Sequence, residues 1–207
     1  MFSNILDSGG WILVCIGLAS LVGLTVVIER CWRLVPLRAR FQQRLRDCEH
    51  ELVRRGPAAL RESLADAEDG MGRMLWRALG AAGRGPDAVR SLALDAAQEE
   101  VPPLERGLGA LATVAQIAPL LGLLGTVVGL MEAFQSARAA ERVTTELLSG
   151  GIYTALGTTA VGLGVAIPAW IAYSSLAGLS GRLIEMLEFA AKELPVLLED
   201  AAPDGAR

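Results

Sequence analysis

The sequence predicts an all-α membrane protein with three transmembrane helices, long cytoplasmic helical extensions, an N-terminus outside and a cytoplasmic C-terminus. Three runs without Asp, Glu, Lys or Arg support this prediction: residues 8–28, 107–131 and 147–181, which are 21, 25 and 35 residues long. An α-helix needs roughly 20 apolar residues to cross about 30 Å of hydrocarbon. The composition agrees, because 52% of the 207 residues are hydrophobic and only 5% are aromatic.

Basic residues are unevenly distributed, and their distribution predicts the orientation. Residues 29–106 hold 14 of the 19 Lys and Arg, residues 1–7 hold none, and residues 132–146 hold only Arg138 and Arg142. The positive-inside rule therefore places residues 29–106 in the cytoplasm. Because residues 1–7 lack a basic stretch and the basic cluster follows the first run, we expect the first span to be retained rather than cleaved as a signal peptide.

Six segments follow from these features. Trp11 and Trp32 bracket the first span at its two interfaces, and Gly56-Pro57 predicts a break in the charged helical stretch that comes after it. The segments are a periplasmic N-terminus with the first span (1–35), a cytoplasmic helical region (36–103), a long helix with the second span (104–137), a periplasmic connection (138–150), the third span (151–181), and a cytoplasmic C-terminal helix and tail (182–207).

The C-terminal helix has an apolar stripe. Its members recur at helical spacing and face away from the charged residues of the same helix. Such a stripe requires a helical partner, either in the cytoplasmic region of the same chain or in a neighbouring copy. The stripe consists of Leu183, Met186, Leu187 and Ala190.

Several classes of function lack the residues that they need. His50 is the only histidine, and Cys15, Cys31 and Cys48 have no CxxC spacing, so we expect free thiols and no metal site or cofactor. Within the spans, Ser20 or Cys15 alone does not make a catalytic group, so we predict that the chain is not an enzyme. The Arg residues of 29–106 are mixed with 13 acidic residues, which argues against binding to nucleic acid.

Small residues line the second and third spans. In lipid, helices associate through close van der Waals approach across such residues, and a proline frees a backbone carbonyl that must find another partner. One stripe of the second span holds Gly122, Gly125, Thr126 and Gly129, and the third span has two such faces, Ala155, Thr159, Gly162 and Ala166 on one and Gly151, Thr154 and Thr158 on the other. The two prolines are Pro119 and Pro168.

The threonines of these faces permit two interpretations. Each could bond the carbonyl four residues earlier in its own helix and only fill space. Grouped on glycine-lined faces, they could instead form a polar wall for a hydrated path. None of the three spans contains a charged residue, so the ionisable group that ion coupling normally uses would have to come from a partner subunit.

Several motifs resemble the MotA/TolQ/ExbB proton channel family, in its ExbB/TolQ branch. The second span carries LERGL at 104–108 and APLLGLLGTV at 118–127. The third span carries TALGTTAVGL at 154–163 and AIPA at 166–169, and GGW at 9–11 with VIERCWRL at 27–34 is similar to the start and exit of the family's first span. Three spans and a short chain fit this branch better than the MotA branch, whose pattern has four spans.

The resemblance implies a subunit of a motor in the bacterial inner membrane that is driven by an ion gradient. Five copies would surround two copies of an ExbD- or TolR-like single-span partner, whose membrane aspartate carries the ion, expected to be H⁺, and a TonB- or TolA-like protein would receive the work. Thr126 and Thr159 match the pore-lining threonines, with Thr158 and Thr154 beside them. Many members have a glutamate where this chain has Thr154.

The missing glutamate leaves alternatives open. Thr154 and Thr158 could coordinate an ion through their hydroxyl groups. The chain could also be a non-conducting oligomeric scaffold of the membrane, or a stator for motility. The sequence distinguishes neither proton from sodium nor the process that is energised.

Overall fold

A computed structural model of the chain describes residues 10–139 and 145–200, with side chains for 10–138 and 149–200. The expectations for the N-terminal residues 1–9, for 140–144 in the connection and for the tail 201–207 lie outside the described residues. Every regular element in the described part is helical. The α-helices are α1 Gly10–Ser63, α2 Gly70–Leu79, α3 Pro86–Glu99, α4 Val101–Glu105, α5 Leu108–Ala139 and α6 Thr145–Asp200, with a 3₁₀ turn at Ala82–Arg84.

Three helical segments, Gly10–Ser63, Pro86–Arg138 and Ser149–Asp200, are long and apolar enough to cross a membrane. This confirms the predicted all-α class and the number of candidate spans. Within the most apolar stretch of each segment, only 17%, 33% and 28% of the residues are buried. Most of this apolar surface therefore requires lipid or the helices of other chains to cover it.

The chain forms two compact units. The apolar unit comprises Met1–Glu29 and Gly107–Ser175, and the charged unit comprises Arg30–Arg106 and Leu176–Arg207. Helix α1 belongs to the apolar unit up to Glu29 and to the charged unit beyond it, and α6 changes units after Ser175.

The charged unit has its own core of small and aliphatic side chains. Helices α2 and α3 pack against each other, and Met71, Met74, Ala78 and Ala93 are completely buried. The stripe of the C-terminal helix is also buried in this chain, since Leu183 and Leu187 have no exposed surface. Ala190 is buried as well, whereas Met186 is half-buried, so the charged unit covers most but not all of the predicted stripe.

Ion pairs and a helix cap fix the connections of the charged unit. The carboxylate of Asp69 accepts a hydrogen bond of 2.7 Å from the backbone N–H of Gly72 and so caps α2. The same carboxylate forms a 2.7 Å ion pair with Arg44 of α1. Arg30 is 3% exposed and donates from Nη1 to the carbonyl oxygen of Pro103 at 3.0 Å.

Glycines with a left-handed backbone interrupt two helices. Gly56 has φ 78° and ψ 173° inside α1, where the sequence predicts a break. Gly107 also has φ 78°, and Arg106 before it is extended, so the long helix predicted to start at residue 104 starts at Leu108 instead. The pair Pro102-Pro103 is a start signal, but the helix that it starts is the short α4.

We expect Gly56→Ala to destabilise the charged unit by about 1–3 kcal/mol, because a side chain is strained at this backbone conformation. Gly83→Ala is the matched control, since an added Cβ meets no atom within 4 Å at either position and only Gly56 has a positive φ. Thermal unfolding of the detergent-solubilised protein measures both changes. Equal effects of the two substitutions would contradict backbone strain at Gly56.

The Cys48 thiol should be slow to react. Burial, and then the nearby carboxylates of Glu49 and Glu51, raise its pKa to about 12. The thiolate is the reactive form, so we expect alkylation by iodoacetamide at pH 8.5 to be at least about tenfold slower in the folded than in the urea-unfolded protein. The same pKa shift makes stability depend on pH. Because the pKa of Cys48 is higher in the folded than in the unfolded protein, the contribution of this thiol to the free energy of unfolding is lost as the pH rises from about 9 to 12.

Mass spectrometry of single-cysteine variants tests this expectation. One variant keeps Cys48 and has Ala at positions 15 and 31; the control keeps the half-buried Cys31 instead. Equal rates for folded and unfolded Cys48 would show that the thiol is accessible and ionised in the folded chain.

Candidate ion pathway

Helices α5 and α6 approach each other as closely as glycine permits. A Cβ added to Gly122 would lie 3.0 Å from the Cα atom of Thr159, and one added to Gly162 would lie 2.6 Å from the carbonyl oxygen of Ala118. A Cβ added to Gly129 would lie 3.1 Å from that of Ala155. The structure therefore places the glycines predicted for helix packing at the α5–α6 interface, where small residues let helices associate in lipid.

The contacts define an antiparallel register. Residue numbers fall along α5 in steps of three or four as they rise along α6, and the residues in contact lie on one face of each helix. The pairs are Ala133 with Gly151, Gly129 with Ala155, Gly125 with Thr158, Gly122 with Thr159 and Ala118 with Gly162. Ala118 and Ala133 extend the glycine stripe beyond the residues singled out in the sequence, and their spacing from Gly122 and Gly129 was the available signal.

Three of the four predicted threonines meet at the centre of this interface. The hydroxyl groups of Thr126 and Thr159 are hydrogen-bonded to each other. Thr159 Oγ1 also donates to the carbonyl oxygen of Gly122 at 2.9 Å, and Thr158 Oγ1 donates to that of Ala155 at 2.7 Å. We call these three hydroxyl groups and two carbonyl groups the hydroxyl cluster.

The hydroxyl cluster can exchange hydrogen bonds but holds no charge. Thr126 Oγ1 lies 3.2 Å from the carbonyl oxygens of both Gly122 and Ala155, so its single proton has alternative acceptors. Thr126 and Thr159 are half-buried, whereas Thr158 is 2% exposed. A hydroxyl group both donates and accepts, so the two half-buried threonines can contact a hydrated cation or a carboxylic acid from another chain.

Thr154 does not join the hydroxyl cluster. Its Oγ1 donates to the carbonyl oxygen of Gly150, four residues earlier, at 3.1 Å. Thr113 and Thr25 make the same local bond with the carbonyls of Gly109 and Leu21. The space-filling interpretation therefore describes Thr154, and the hydroxyl groups of Thr154 and Thr158 are not hydrogen-bonded to each other.

The two predicted prolines lie within α5 and α6, and the first helix packs against α5. Pro119 is half-buried inside α5, and Pro168 is exposed inside α6, and neither ends its helix. Helix α1 packs against α5 at Gly23, where an added Cβ would lie 3.3 Å from Val114 Cγ1. Among the described residues, no group of three His, Cys, Asp or Glu side chains could hold a metal ion.

The fold and this interface define a multi-pass helical membrane protein whose packed helix pair carries an uncharged polar cluster. Residues 61–188 match the model of the MotA/TolQ/ExbB proton channel family. The chain belongs to that family.

Relatives agree with this assignment. The putative biopolymer transport protein ExbB-like 3 of Synechocystis sp. is 34% identical over 165 residues, which are 77% of each chain. ExbB-like 1 of the same organism is 31% identical over 93% of this chain and 77% of its own length. The Tol-Pal system protein TolQ of Haemophilus influenzae is 44% identical over 81 residues, but this match covers only 39% of this chain and 36% of TolQ.

We expect Gly162→Ala to destabilise the α5–α6 pair by about 1–3 kcal/mol, because the added methyl group meets backbone atoms that cannot rotate away. Gly157→Ala on the same helix is the control, since its Cβ meets nothing within 4 Å and alanine favours helix formation. Thermal unfolding in one detergent compares them. If Gly162→Ala melted at or above the wild-type temperature, the close approach would be wrong.

Proposed function

We propose that this chain is the ion-conducting subunit of a bacterial inner-membrane motor that uses the proton-motive force to energise transport in the cell envelope. The hydroxyl cluster between α5 and α6 is the observation that carries this proposal. It is a group of hydrogen-bonded hydroxyl and carbonyl groups inside an interface that otherwise consists of Gly and Ala, and the names of relatives such as biopolymer transport protein ExbB support this role.

A partner must supply the charged group inside the membrane-spanning part of the pathway. The uncharged runs of the three candidate spans leave only hydroxyl and carbonyl oxygens in the described interface, and a carboxylic acid is the usual carrier of a proton in a membrane. An ExbD- or TolR-like dimer of single-span chains with a membrane aspartate fits this need. About five copies of the present chain would enclose it, and a TonB- or TolA-like protein would receive the mechanical work.

The proposed orientation places residues 29–106 and the C-terminal helix in the cytoplasm and the N-terminus outside. The excess of Arg in 29–106 supports this orientation. The charged unit is then the cytoplasmic part of the complex.

In the proposed mechanism, the aspartate of the partner is protonated from outside and meets the half-buried hydroxyl groups of Thr126 and Thr159. These groups can donate to the carboxylate or accept from the carboxylic acid, so they stabilise both forms at the pathway wall. One elementary charge that crosses 100 mV releases about 2.3 kcal/mol. A few ions in each step therefore supply enough free energy to rotate or rock the partner.

A second candidate is a scaffold that oligomerises without conducting ions. The observation in its favour is that the hydroxyl groups of the cluster already have carbonyl partners within the chain. The same assembly could also serve as a stator for motility. Ion flux separates the scaffold from the other two.

We expect pH-driven proton flux into liposomes that contain this chain and its candidate single-span partner. Thr126→Val or Thr159→Val should reduce the flux about fivefold to tenfold, because one hydrogen bond of about 1 kcal/mol is lost at an unchanged side-chain shape. Thr126→Ser keeps the hydroxyl group and should retain most of the flux. Thr113→Val is the matched control, since its hydroxyl bonds only the carbonyl of Gly109.

Assembly is verified for every variant by co-purification of the two chains. Equal loss for the Thr113 and Thr126 variants would remove the special role of the hydroxyl cluster. An assembled wild-type complex that never conducts would favour the scaffold.

A further inference from the structure

Glu132 is the charged residue that ends the uncharged run of α5. It is half-buried, and it takes part in no hydrogen bond or ion pair with another residue in 10–138 or 149–200. A carboxylate at this depth, next to the apolar surface of α5, is costly unless it interacts with a cation or water. Its position on α5 places it close to Thr154 of α6.

Glu132 lies on a defined flank of the α5–α6 pair. It follows Gly125 by seven residues, so at about 100° per residue the two positions differ by only about 20° around α5. On α6, Thr154 precedes Thr158 by four residues and differs from it by about 40°. Gly125 abuts Thr158, because an added Cβ would lie 2.5 Å from Thr158 Oγ1, so the two flanks coincide.

Glu132 and Thr154 also lie at nearly the same height. Ala133, the neighbour of Glu132, faces Gly151, and Gly129 faces Ala155. The antiparallel register therefore places Thr154 within one helical turn of Glu132, which is about 5.4 Å along the axis. Arg138 is about 120° further around α5 and does not share this flank.

We infer that Glu132 is a cation-attracting residue of this chain, at the mouth where hydrated protons or other monovalent cations enter the pathway. The inference rests on the proposed function, in whose orientation this end of α5 faces outside. A fixed negative charge beside an apolar wall raises the local concentration of cations. Many family members have a glutamate on α6 where this chain has Thr154. In this chain, Glu132 of α5 thus provides a carboxylate on the same flank of the helix pair.

Proton flux into liposomes that contain this chain and its single-span partner tests the inference. The test moves the carboxylate from α5 to α6 by substitution. Glu132→Gln should reduce the flux at least about fivefold, which corresponds to about 1 kcal/mol of lost attraction at about 4 Å in water. Glu132→Gln combined with Thr154→Glu should restore most of it, because the charge returns to the same flank. Glu199→Gln, the same chemical change at the exposed end of α6, should have no effect.

The outcomes separate the two proposals. A wild-type complex that conducts, with Glu132→Gln equally active, overturns the inference and leaves the proposed function intact. A loss that Thr154→Glu does not restore shows a structural role for Glu132 and also overturns the inference. An assembled wild-type complex without flux overturns the proposed function, and the inference with it.

A chemical rescue keeps the test decisive if the glutamine variant assembles poorly. Glu132→Cys is made with Ala at positions 15 and 31, leaving the buried Cys48, and is modified after assembly in liposomes. An anionic methanethiosulfonate reagent should raise the flux and a cationic reagent should not. Equal responses to the two reagents would overturn the inference.

Discussion

The close approach of α5 and α6 is the constraint on which the apolar unit depends. Because only small side chains such as Ala and Thr lie between them, the two backbones leave no room for lipid, and dispersion forces replace the hydrophobic effect that joins helices in water. The same closeness brings Thr159 of one helix to the Gly122 carbonyl of the other. Helix packing and the hydroxyl cluster therefore have the same cause. A larger residue at Gly122 would push the two helices apart and would also break the hydrogen bond between Thr159 and the carbonyl of residue 122.

The sequence predicted what periodicity and length can reveal. Three uncharged runs identified the candidate spans, and the small residues around Gly125 identified the face of α5 that packs. The break at Gly107 was not predicted, since a glycine in a helical pattern is usually tolerated and the prolines before it indicated an earlier start. Gly107, with its positive φ, is the first residue of a segment of the apolar unit, and no local pattern records where one compact unit ends and the other begins.

The residues of the candidate site could be predicted from the sequence, but the hydrogen bonds among them could not. The resemblance pointed to four threonines, yet only the interhelical register shows that Thr126, Thr158 and Thr159 bond across the two helices whereas Thr154 bonds only its own helix. Glu132 was overlooked for the same reason. It lies one residue beyond the uncharged run, and its relation to Thr154 exists only across two antiparallel helices.

The register of α5 and α6 also limits how this protein can move. A change of register by one residue requires a rotation of about 100° about the helix axis. That rotation would turn a larger side chain, such as Leu121 or Leu123, towards the tight contacts now made at Gly122, and it would break the bonds to the shared carbonyls. Sliding in small increments is therefore blocked. We therefore expect α5 and α6 to move together, so that any relative motion takes place where this helix pair meets other helices.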